Sequence, residues 1–464
     1  MKLIGEKDFY KKIMIIAVPI MIQNGITNFV GMLDNIMVGR IGTDAMSGVS
    51  IVNQLLFVFF LCLFGATAGI GIFTAQFAGK GDNDGIRYTM RMKLFVSVLL
   101  TVIWILVLKL KGDALISLWL RGEGGTGNIS ETLASARSYL SVILFEMLPF
   151  AISMSYAGSL RESGETMLPM KAGVIAVIVN LAGNYVLIYG KFGAPALGVV
   201  GAALATILSR CIETFIIVFW SHTHTAKKPF FAGLYRSFFV PPDLAAKIAL
   251  KASPVLLNEF LWSAGQTVLS QQYSLLGLDV VAGMNIATTL NNVFNIVIIA
   301  MGDVIAIVLG QELGKKMKGK KALLEEAFQL ALFSIALCLV SGSLLFSVSG
   351  RFPMIYNTSD EIRGIAAGLI RMYAVFMPIY SFENSTYFTL RSGGNTWMTF
   401  VFDSLFIWVV PIPFLIFMVR FSSLSILPLF AAVQLLGLIK CLIGFIMVKK
   451  GIWINDLTQY TSSV

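Results

Sequence analysis

Long apolar stretches separated by short polar segments make up most of this 464-residue chain. Twelve of the stretches reach about 20 residues, which as α-helix is enough to cross the hydrocarbon core of a membrane. A chain inside a bilayer must satisfy its backbone hydrogen bonds internally, so stretches of this length indicate helices rather than barrel strands. We predict spans at 13–38, 49–73, 93–110, 137–157, 169–189, 198–220, 252–275, 286–309, 327–347, 366–388, 400–419 and 426–448.

The beginning of this pattern occurs twice. Residues 17–80 align with residues 252–315 at a constant shift of 235 positions and without a gap, and fourteen of the 64 positions are identical. Several identities are residues that a hydrophobic composition alone would not supply. They are Pro19/Pro254, Gly42/Gly277, Asp44/Asp279, Gln76/Gln311 and Gly79/Gly314, and the later pair Leu160-Arg161 returns as Leu390-Arg391. The chain therefore contains two copies of one helical design.

Each copy holds six predicted spans, and an even number of spans returns the chain to its starting side of the membrane. Both copies then insert in the same orientation, as a parallel repeat. We predict an all-α membrane protein with two six-helix lobes, residues 1–220 and 252–464, joined by a cytoplasmic linker of residues 221–251. Duplicated bundles of this kind are typical of membrane transporters.

Composition supports a membrane protein, because 57% of the residues are hydrophobic, 13% are charged and the mean hydropathy is +0.81. The net charge of +10 is unevenly distributed: with a cytoplasmic N-terminus, 23 Lys and Arg fall in inner segments and 10 in outer segments. This asymmetry follows the positive-inside rule and predicts a multi-pass protein of the inner (plasma) membrane with both termini in the cytoplasm, not a nucleic-acid-binding protein.

The lysine cluster at 315–321 is interpreted as a topology signal and a contact for anionic lipids. We expect no cleavable signal peptide, since the first apolar stretch has span length.

An ionisable residue inside a span is costly and is a functional candidate by default. Asp34 lies towards the outer end of the first span, and Asn180 and Asn184 lie one turn apart on the fifth span at a similar depth. Thr206 follows a run of small residues in the sixth span, which allows close helix approach. The four residues could form an oxygen-rich pocket that binds Na⁺ or holds a titrating acid. The alternatives are a headgroup location for Asp34 and ordinary interhelical hydrogen bonds for the two asparagines.

Other intramembrane ionisable groups allow a structural and a functional interpretation. Arg210 and Glu213 are three positions apart on the sixth span and are predicted to form an internal ion pair. Lys440 in the twelfth span has no partner that the sequence identifies. Nearby amides offer a structural role for each acidic candidate of the second copy, and these candidates are Glu259, Asp303 and Glu383.

Pro19 and Pro254 lie inside the first span of their copies. A proline within a helix leaves a backbone carbonyl without its usual donor and permits a bend. Pro19 is therefore either a hinge that moves or a fixed kink set by packing.

Several kinds of chemistry have no sequence support. His222 and His224 are the only histidines and have no neighbouring acidic ligands, so we expect no metal site. The sequence contains no Walker motif and no Ser/His/Asp or Cys/His arrangement. We therefore predict a protein that needs no cofactor and is not an enzyme.

Over nearly its whole length the chain resembles the multidrug and toxic compound extrusion (MATE) family. The resemblance rests on the early proline of the first span, on Met32-Leu33-Asp34-Asn35-Ile36-Met37-Val38-Gly39, on Gln76-Phe77-Ala78-Gly79 with Gln311-Glu312-Leu313-Gly314, and on the paired Leu-Arg motifs after spans 4 and 10. Each motif is weak alone, but their order and spacing are specific. The resemblance implies that organic, cationic and amphipathic compounds are exported in exchange for Na⁺ or H⁺, and we expect a monomer.

The resemblance also implies roles for particular residues. Asp34 occupies the position of the family's first-span coupling acid, Asn180 that of the fifth-span asparagine of its cation site, and Thr206 that of the sixth-span hydroxyl. Asn184 stands where some members have a second aspartate, so we expect no two-carboxylate Na⁺ site in this chain.

The second copy departs from the family pattern. Some bacterial members have an aspartate directly after the proline of the tenth span, whereas this chain has Pro378-Ile379. The nearest acid is Glu383, so a cation site in the second copy is uncertain on this pattern. Glu259 resembles a seventh-span glutamate of the family, offset by about a turn.

The leading hypothesis is a cation-coupled multidrug exporter. H⁺ is favoured over Na⁺, because burial disfavours a charged carboxylate and Asn184 adds only a neutral oxygen. The second hypothesis is a lipid-linked oligosaccharide flippase of the same broad superfamily, which the scarcity of Lys and Arg in the spans disfavours. A membrane enzyme or receptor would need a catalytic or ligand-binding constellation that we do not find.

Overall fold

The computed structural model describes residues 4–120 and 129–459. Within these ranges the chain is almost entirely helical and contains no strand. The helices are α1 (Lys7–Gly39), α2 (Thr43–Lys80), α3 (Asn83–Leu120), α4 (Ile129–Ile143), α5 (Met147–Glu162), α6 (Met167–Tyr189), α7 (Gly198–Thr223), α8 (Pro242–Ser274), α9 (Leu278–Lys315), α10 (Lys320–Val348), α11 (Asp360–Ser392), α12 (Thr396–Phe400), α13 (Phe406–Val409), α14 (Pro411–Phe421), α15 (Ile426–Leu435) and α16 (Gly437–Lys450).

Eleven helical stretches of the described chain are long and apolar enough to cross a membrane. Three of them contain more than one helix: α4 and α5 are joined by a 3₁₀ turn, α12 to α14 are joined through a π-helical turn, and α15 continues into α16. The predicted span that is not among these eleven is the seventh, 252–275, which lies in α8, where Asn258 and Glu259 make the middle of the helix more polar. The predicted all-α membrane fold is confirmed.

The sequence repeat is also a repeat of helices. Helices α1 and α8 both contain 33 residues, and α2 and α9 both contain 38. Their ends are related by the same shift of 235 positions that aligns the sequences. Pro19 and Pro254 lie inside α1 and α8, and both helices continue through the proline.

Packing divides the described chain into two compact units, and the boundaries between them fall inside α1, α2 and α8. The first unit contains residues 22–74, 83–120 and 129–246, and the second contains residues 4–21, 75–82 and 247–459. In the second unit, buried residues of α1 such as Ile13 and Ile20 belong to one hydrophobic cluster with residues of α9, α10 and α11. The lobe limits predicted from the sequence, 1–220 and 252–464, stay a prediction.

The segment between α7 and α8 packs closely on the first unit. Arg91 of α3 donates hydrogen bonds to the backbone carbonyls of Gly233, Leu234 and Phe239 at 2.9 to 3.1 Å. Phe230 and Phe231 of the same segment are buried. Since α8 already begins at Pro242, the segment outside the helices is shorter than the predicted linker 221–251.

Three lysines of the 315–321 cluster form ion pairs inside the second unit. Lys315 and Lys318 lie 2.5 and 3.0 Å from the carboxylate of Glu312, and Lys316 lies 2.6 Å from Asp456 in the C-terminal segment. The cluster therefore joins the end of α9 to the C-terminal segment. The sequence did not indicate this role.

Candidate functional site

The side chain of Asp34 meets two buried amides of α6. Asn184 Nδ2 donates a hydrogen bond of 2.5 Å to Asp34 Oδ1. Nearby, the Tyr189 hydroxyl donates to the backbone carbonyl of Met37 at 2.9 Å, which fixes the end of α6 against α1. Asp34 is thus held by protein amides, which argues against an isolated position among lipid headgroups.

Asn180 and Asn184 lie on the same face of α6 because they are four positions apart. They are 5% and 1% exposed. Asn184 Nδ2 also lies 3.2 Å from Asn180 Oδ1, and Asn180 Nδ2 lies 3.2 Å from the hydroxyl of Thr206 on α7. The structure therefore brings together all four residues predicted for the first-copy site.

Small residues allow α6 and α7 to approach closely at this position. A Cβ atom on Gly201 would overlap the backbone carbonyl of Leu187, and one on Gly183 would lie 3.0 Å from the Cβ of Ala205. Because no side chain separates the backbones here, Thr206 comes within hydrogen-bonding distance of α6.

The amide of Asn180 is best satisfied with its nitrogen towards Asp34. With Nδ2 towards Asp34, it donates to the carboxylate at 2.9 and 3.2 Å, and Asn180 Oδ1 accepts from Thr206. With the opposite orientation, an amide oxygen faces the carboxylate at these distances. Two oxygens at such a distance are compatible only if a proton or a cation lies between them.

A cavity of about 130 Å³ adjoins these side chains. Asn184 Oδ1 is buried and has no hydrogen-bond partner among the described residues. A buried oxygen without a partner is costly, so its position at a cavity is consistent with a ligand or water there. The cavity is lined by Asp34, Val38, Val49, Asn53, Leu56, Phe60, Tyr139, Glu146, Asn184, Ala202 and Thr206.

Glu146 is a functional candidate that the sequence analysis missed. It lies in the 3₁₀ turn Leu144–Glu146 between α4 and α5, is 4% exposed, and lines the same cavity as Asp34. Arg210 on α7 donates to Glu146 at 3.4 Å and to Glu213 at 2.9 Å. The predicted Arg210–Glu213 ion pair is confirmed, and the structure adds a second carboxylate to it.

In the second copy, buried polar groups form one hydrogen-bonded network. The Tyr387 hydroxyl donates to Glu259 Oε1 at 3.2 Å, and Asn258 Nδ2 lies 3.2 Å from that hydroxyl and 3.1 Å from Asp403 Oδ2. Lys440 Nζ lies 2.7 Å from Asp403. Asp403 is in the π-helical turn Val401–Leu405 and was also missed.

Hydrogen bonds and ion pairs connect Glu259 and Glu383 to this network, and Asp303 interacts electrostatically with Glu259. Glu259 takes part through Tyr387, and Glu383 Oε2 lies 3.6 Å from Lys440 Nζ. Asp303 lies on α9, half-buried. Lys440, for which the sequence identified no partner, thus has two carboxylates.

Histidine positions agree with a structural role. His222 Nε2 lies 2.8 Å from the Tyr156 hydroxyl, and the imidazole ring stacks with Tyr235. In residues 4–120 and 129–459, no group of three His, Cys, Asp or Glu side chains could hold a metal ion. The aromatic neighbours account for the conformation of His222.

Comparisons with known proteins agree with the repeated helical fold. A family model described as MatE matches residues 19–186 and 254–417, two segments that begin at the equivalent prolines. Among relatives, the chain is 26% identical over 422 residues to the probable multidrug resistance protein NorM of Thermotoga maritima, covering 90% of this chain and 88% of that protein. It is 24% identical over 409 residues to the multidrug resistance protein MdtK of Pectobacterium atrosepticum, covering 87% and 86%.

A solved structure shows the same fold. It is an outward-facing multidrug resistance MATE family transporter of the MOP superfamily, with a TM-score of 0.84, 20% identity and 97% coverage of both chains. The two segments matched by the family model together make up well over half of the chain. The resemblance found in the sequence is confirmed, and the chain belongs to the MatE family of MATE transporters.

Proposed function

We propose that this protein is a secondary active multidrug efflux transporter of the inner (plasma) membrane, which exports organic, cationic amphipathic compounds in exchange for H⁺. The relatives named multidrug resistance proteins support multidrug export. The main support for cation coupling is the contact of Asp34 with the buried amides of Asn180 and Asn184 at the edge of a cavity.

Charge coupling follows from the surroundings of Asp34. An ionised carboxylate away from water is unfavourable unless it is paired or strongly hydrogen-bonded, and a proton or a bound cation relieves this cost. Asn180 can turn its nitrogen or its oxygen towards Asp34, so it can stabilise both the empty carboxylate and the loaded site. Loading would thereby change the hydrogen bonds between α1, α6 and α7.

H⁺ is our proposed coupling ion, because the side chains in contact with Asp34 are neutral amides. Na⁺ is the alternative, since Asp34, the two amide oxygens and Thr206 Oγ1 are all oxygen ligands that Na⁺ accepts. Among the described residues, the cavity lining contains two acids and no lysine or arginine. This charge favours cationic substrates and disfavours the pyrophosphate of a lipid-linked oligosaccharide.

The conformational part of the proposal concerns α1. We propose that Pro19 is a hinge at which this helix bends when Asp34 gains or loses its cation. A proline removes one backbone hydrogen bond from the helix, which makes a bend at this position possible. The protein is proposed to act as a monomer with both termini in the cytoplasm.

Replacing Asp34 tests the coupling site. In Asp34→Asn proteoliposomes we expect gradient-driven ethidium efflux to fall to the level of protein-free vesicles, since a neutral amide neither loads nor releases a cation. Insertion and folding should persist, because the two side chains are nearly the same size. Asp279→Asn removes an exposed acid at the start of α9 and serves as the matched control. Wild-type efflux from Asp34→Asn vesicles would remove Asp34 from the mechanism.

A second experiment identifies the ion. Efflux is measured at fixed pH with Na⁺ present or replaced by choline, and then with the pH gradient collapsed by an ionophore. We expect efflux to persist in choline and to stop when the pH gradient is lost. Efflux that requires Na⁺ and ignores the pH gradient would replace H⁺ by Na⁺ in the proposal.

A further inference from the structure

We propose that Glu146 is the second carboxylate of the cation site, so that the coupling cation is loaded in the cavity between Asp34 and Glu146 while Arg210 stays paired with Glu213. This inference rests on the proposed cation-coupled export and assigns a residue to the same site. Glu146 would also be the second acid that Asn184, a neutral amide, does not provide.

The first observation is the cavity itself. Asp34 from α1 and Glu146 from the turn before α5 line one cavity of about 130 Å³, which exceeds the volume of a water molecule or a monovalent cation. Asn184 also lines this cavity, and its buried Oδ1 has no hydrogen-bond partner in the described chain. The lining thus includes two acids and an amide whose oxygen has no partner.

The second observation is the balance of charge. The ionisable side chains at and beside the cavity are Asp34, Glu146, Glu213 and Arg210, and the Tyr139 hydroxyl is neutral. With all three acids ionised, one guanidinium leaves an excess of two negative charges among buried groups. Buried charges require compensation, so this cluster favours the uptake of a proton or a metal cation.

The third observation is an asymmetry in how Arg210 is shared. Its NH1 donates to Glu213 at 2.9 Å, a normal charge-assisted distance, whereas its Nε lies 3.4 Å from Glu146, beyond the usual range. Glu146 is therefore the weakly held partner and Glu213 the strongly held one. A cation at Glu146 displaces only the longer contact, and Arg210 keeps its better partner.

The position of Glu146 in the chain fits this role. Span 4 is interrupted at Glu146 by the 3₁₀ turn Leu144–Glu146, after which α5 begins at Met147. Short 3₁₀ segments inside long helices often occur where a helix adjusts its geometry at a functional position.

The test compares two substitutions in the same span. Glu146→Gln removes the proposed cation ligand, and Glu131→Gln removes an exposed acid of α4 outside the cavity. Ethidium efflux from proteoliposomes is measured against a series of H⁺ and, separately, Na⁺ concentrations, together with the cation-induced rise in melting temperature of the purified protein. We expect the half-saturating concentration of the driving cation to rise roughly ten- to hundredfold in Glu146→Gln and to stay unchanged in Glu131→Gln.

Glu146→Asp keeps the charge and should recover part of the lost affinity, which a purely structural role would not produce. If Glu146→Gln does not fold, Glu146→Asp alone tests the point through a weakened cation response at an unchanged melting temperature in Na⁺-free buffer of high pH, where the site is unloaded. A wild-type cation response in these variants, with active wild-type transport and an inactive Asp34→Asn, would overturn the role of Glu146 and leave the proposed function intact. Absence of efflux from the wild-type protein would instead contradict the proposed function.

Discussion

The most unusual single residue in the second copy is Lys440. It is 7% exposed, lies 2.7 Å from Asp403 and 3.6 Å from Glu383, and its ammonium group lies 5.1 Å from the centre of the Phe402 ring. An ammonium attached to the protein thus neutralises acids that could otherwise bind a cation from solution. The sequence could not show this, because Asp403 and Lys440 are 37 positions apart.

Removing Lys440 is expected to be strongly destabilising. Lys440→Met leaves the partly buried acids Asp403 and Glu383 without their cation; breaking a buried pair typically costs about 3–5 kcal/mol, which is the upper limit for these acids. The melting temperature of the purified protein should fall clearly, and Lys450→Met, which changes an exposed lysine of the same helix, should have little effect. Adding Asp403→Asn to Lys440→Met should restore part of the loss; a double variant less stable than Lys440→Met would contradict the pairing.

The first-copy site shows how far residue-level prediction reaches. Asp34, Asn180, Asn184 and Thr206 could be selected from the sequence, because polar residues at similar depth in regular helices follow helical periodicity. Glu146 and Asp403 also lie inside predicted spans, 137–157 and 400–419, and were overlooked. What the sequence does not show is their pairing, because Arg210 and Lys440 lie on other helices.

At the scale of helices, the repeated Gln-x-x-Gly motif marks a close helix crossing in the second unit. A Cβ atom on Gly79 would overlap the backbone carbonyl of Gln311, and one on Gly314 would overlap that of Gln76. The same residue of each copy therefore makes the same contact with the other. Only glycine allows the two backbones to approach so closely here.

Adding a methyl group at this crossing is expected to force the helices apart. Gly79→Ala and Gly314→Ala should each destabilise the protein by about 1–3 kcal/mol, a typical cost of overpacking. Gly364→Ala is the control, because no atom lies within 4 Å of a Cβ at this position of α11. Thermal unfolding in detergent measures all three, and equal stability of Gly79→Ala and Gly364→Ala would contradict the importance of the crossing.

Prediction at this scale succeeded where helices are regular. The constant shift of 235 correctly indicated the matching lengths of α1 and α8 and of α2 and α9. The predicted span 400–419 proved to be three helices and a π-helical turn, because Pro411 and the buried Asp403 interrupt regular hydrogen bonding. Hydrophobicity alone does not report such interruptions.

At the scale of the whole molecule, the uneven distribution of Lys and Arg predicts which ends face the cytoplasm. The test uses a variant in which Cys62, Cys211, Cys338 and Cys441 are replaced, with one new cysteine at Ser237 or at Glu131, both exposed. In intact cells a membrane-impermeant maleimide should label position 131 and not position 237. Labelling in the opposite pattern would reverse the proposed orientation.

The reciprocal crossing has a consequence for the origin of the chain. When the same surface of two identical subunits forms their interface, the dimer has two-fold symmetry, and each interface residue makes the same contact once from each subunit. An ancestral protein of six spans could therefore have paired with an identical molecule through a single Gln-x-x-Gly motif. After fusion the two motifs were free to diverge: Gln76 now also holds the C-terminal segment, accepting a hydrogen bond from the Leu457 amide at 2.8 Å and donating to the Asn455 carbonyl at 3.2 Å. That segment follows only the second copy, so the two motifs no longer have equivalent surroundings.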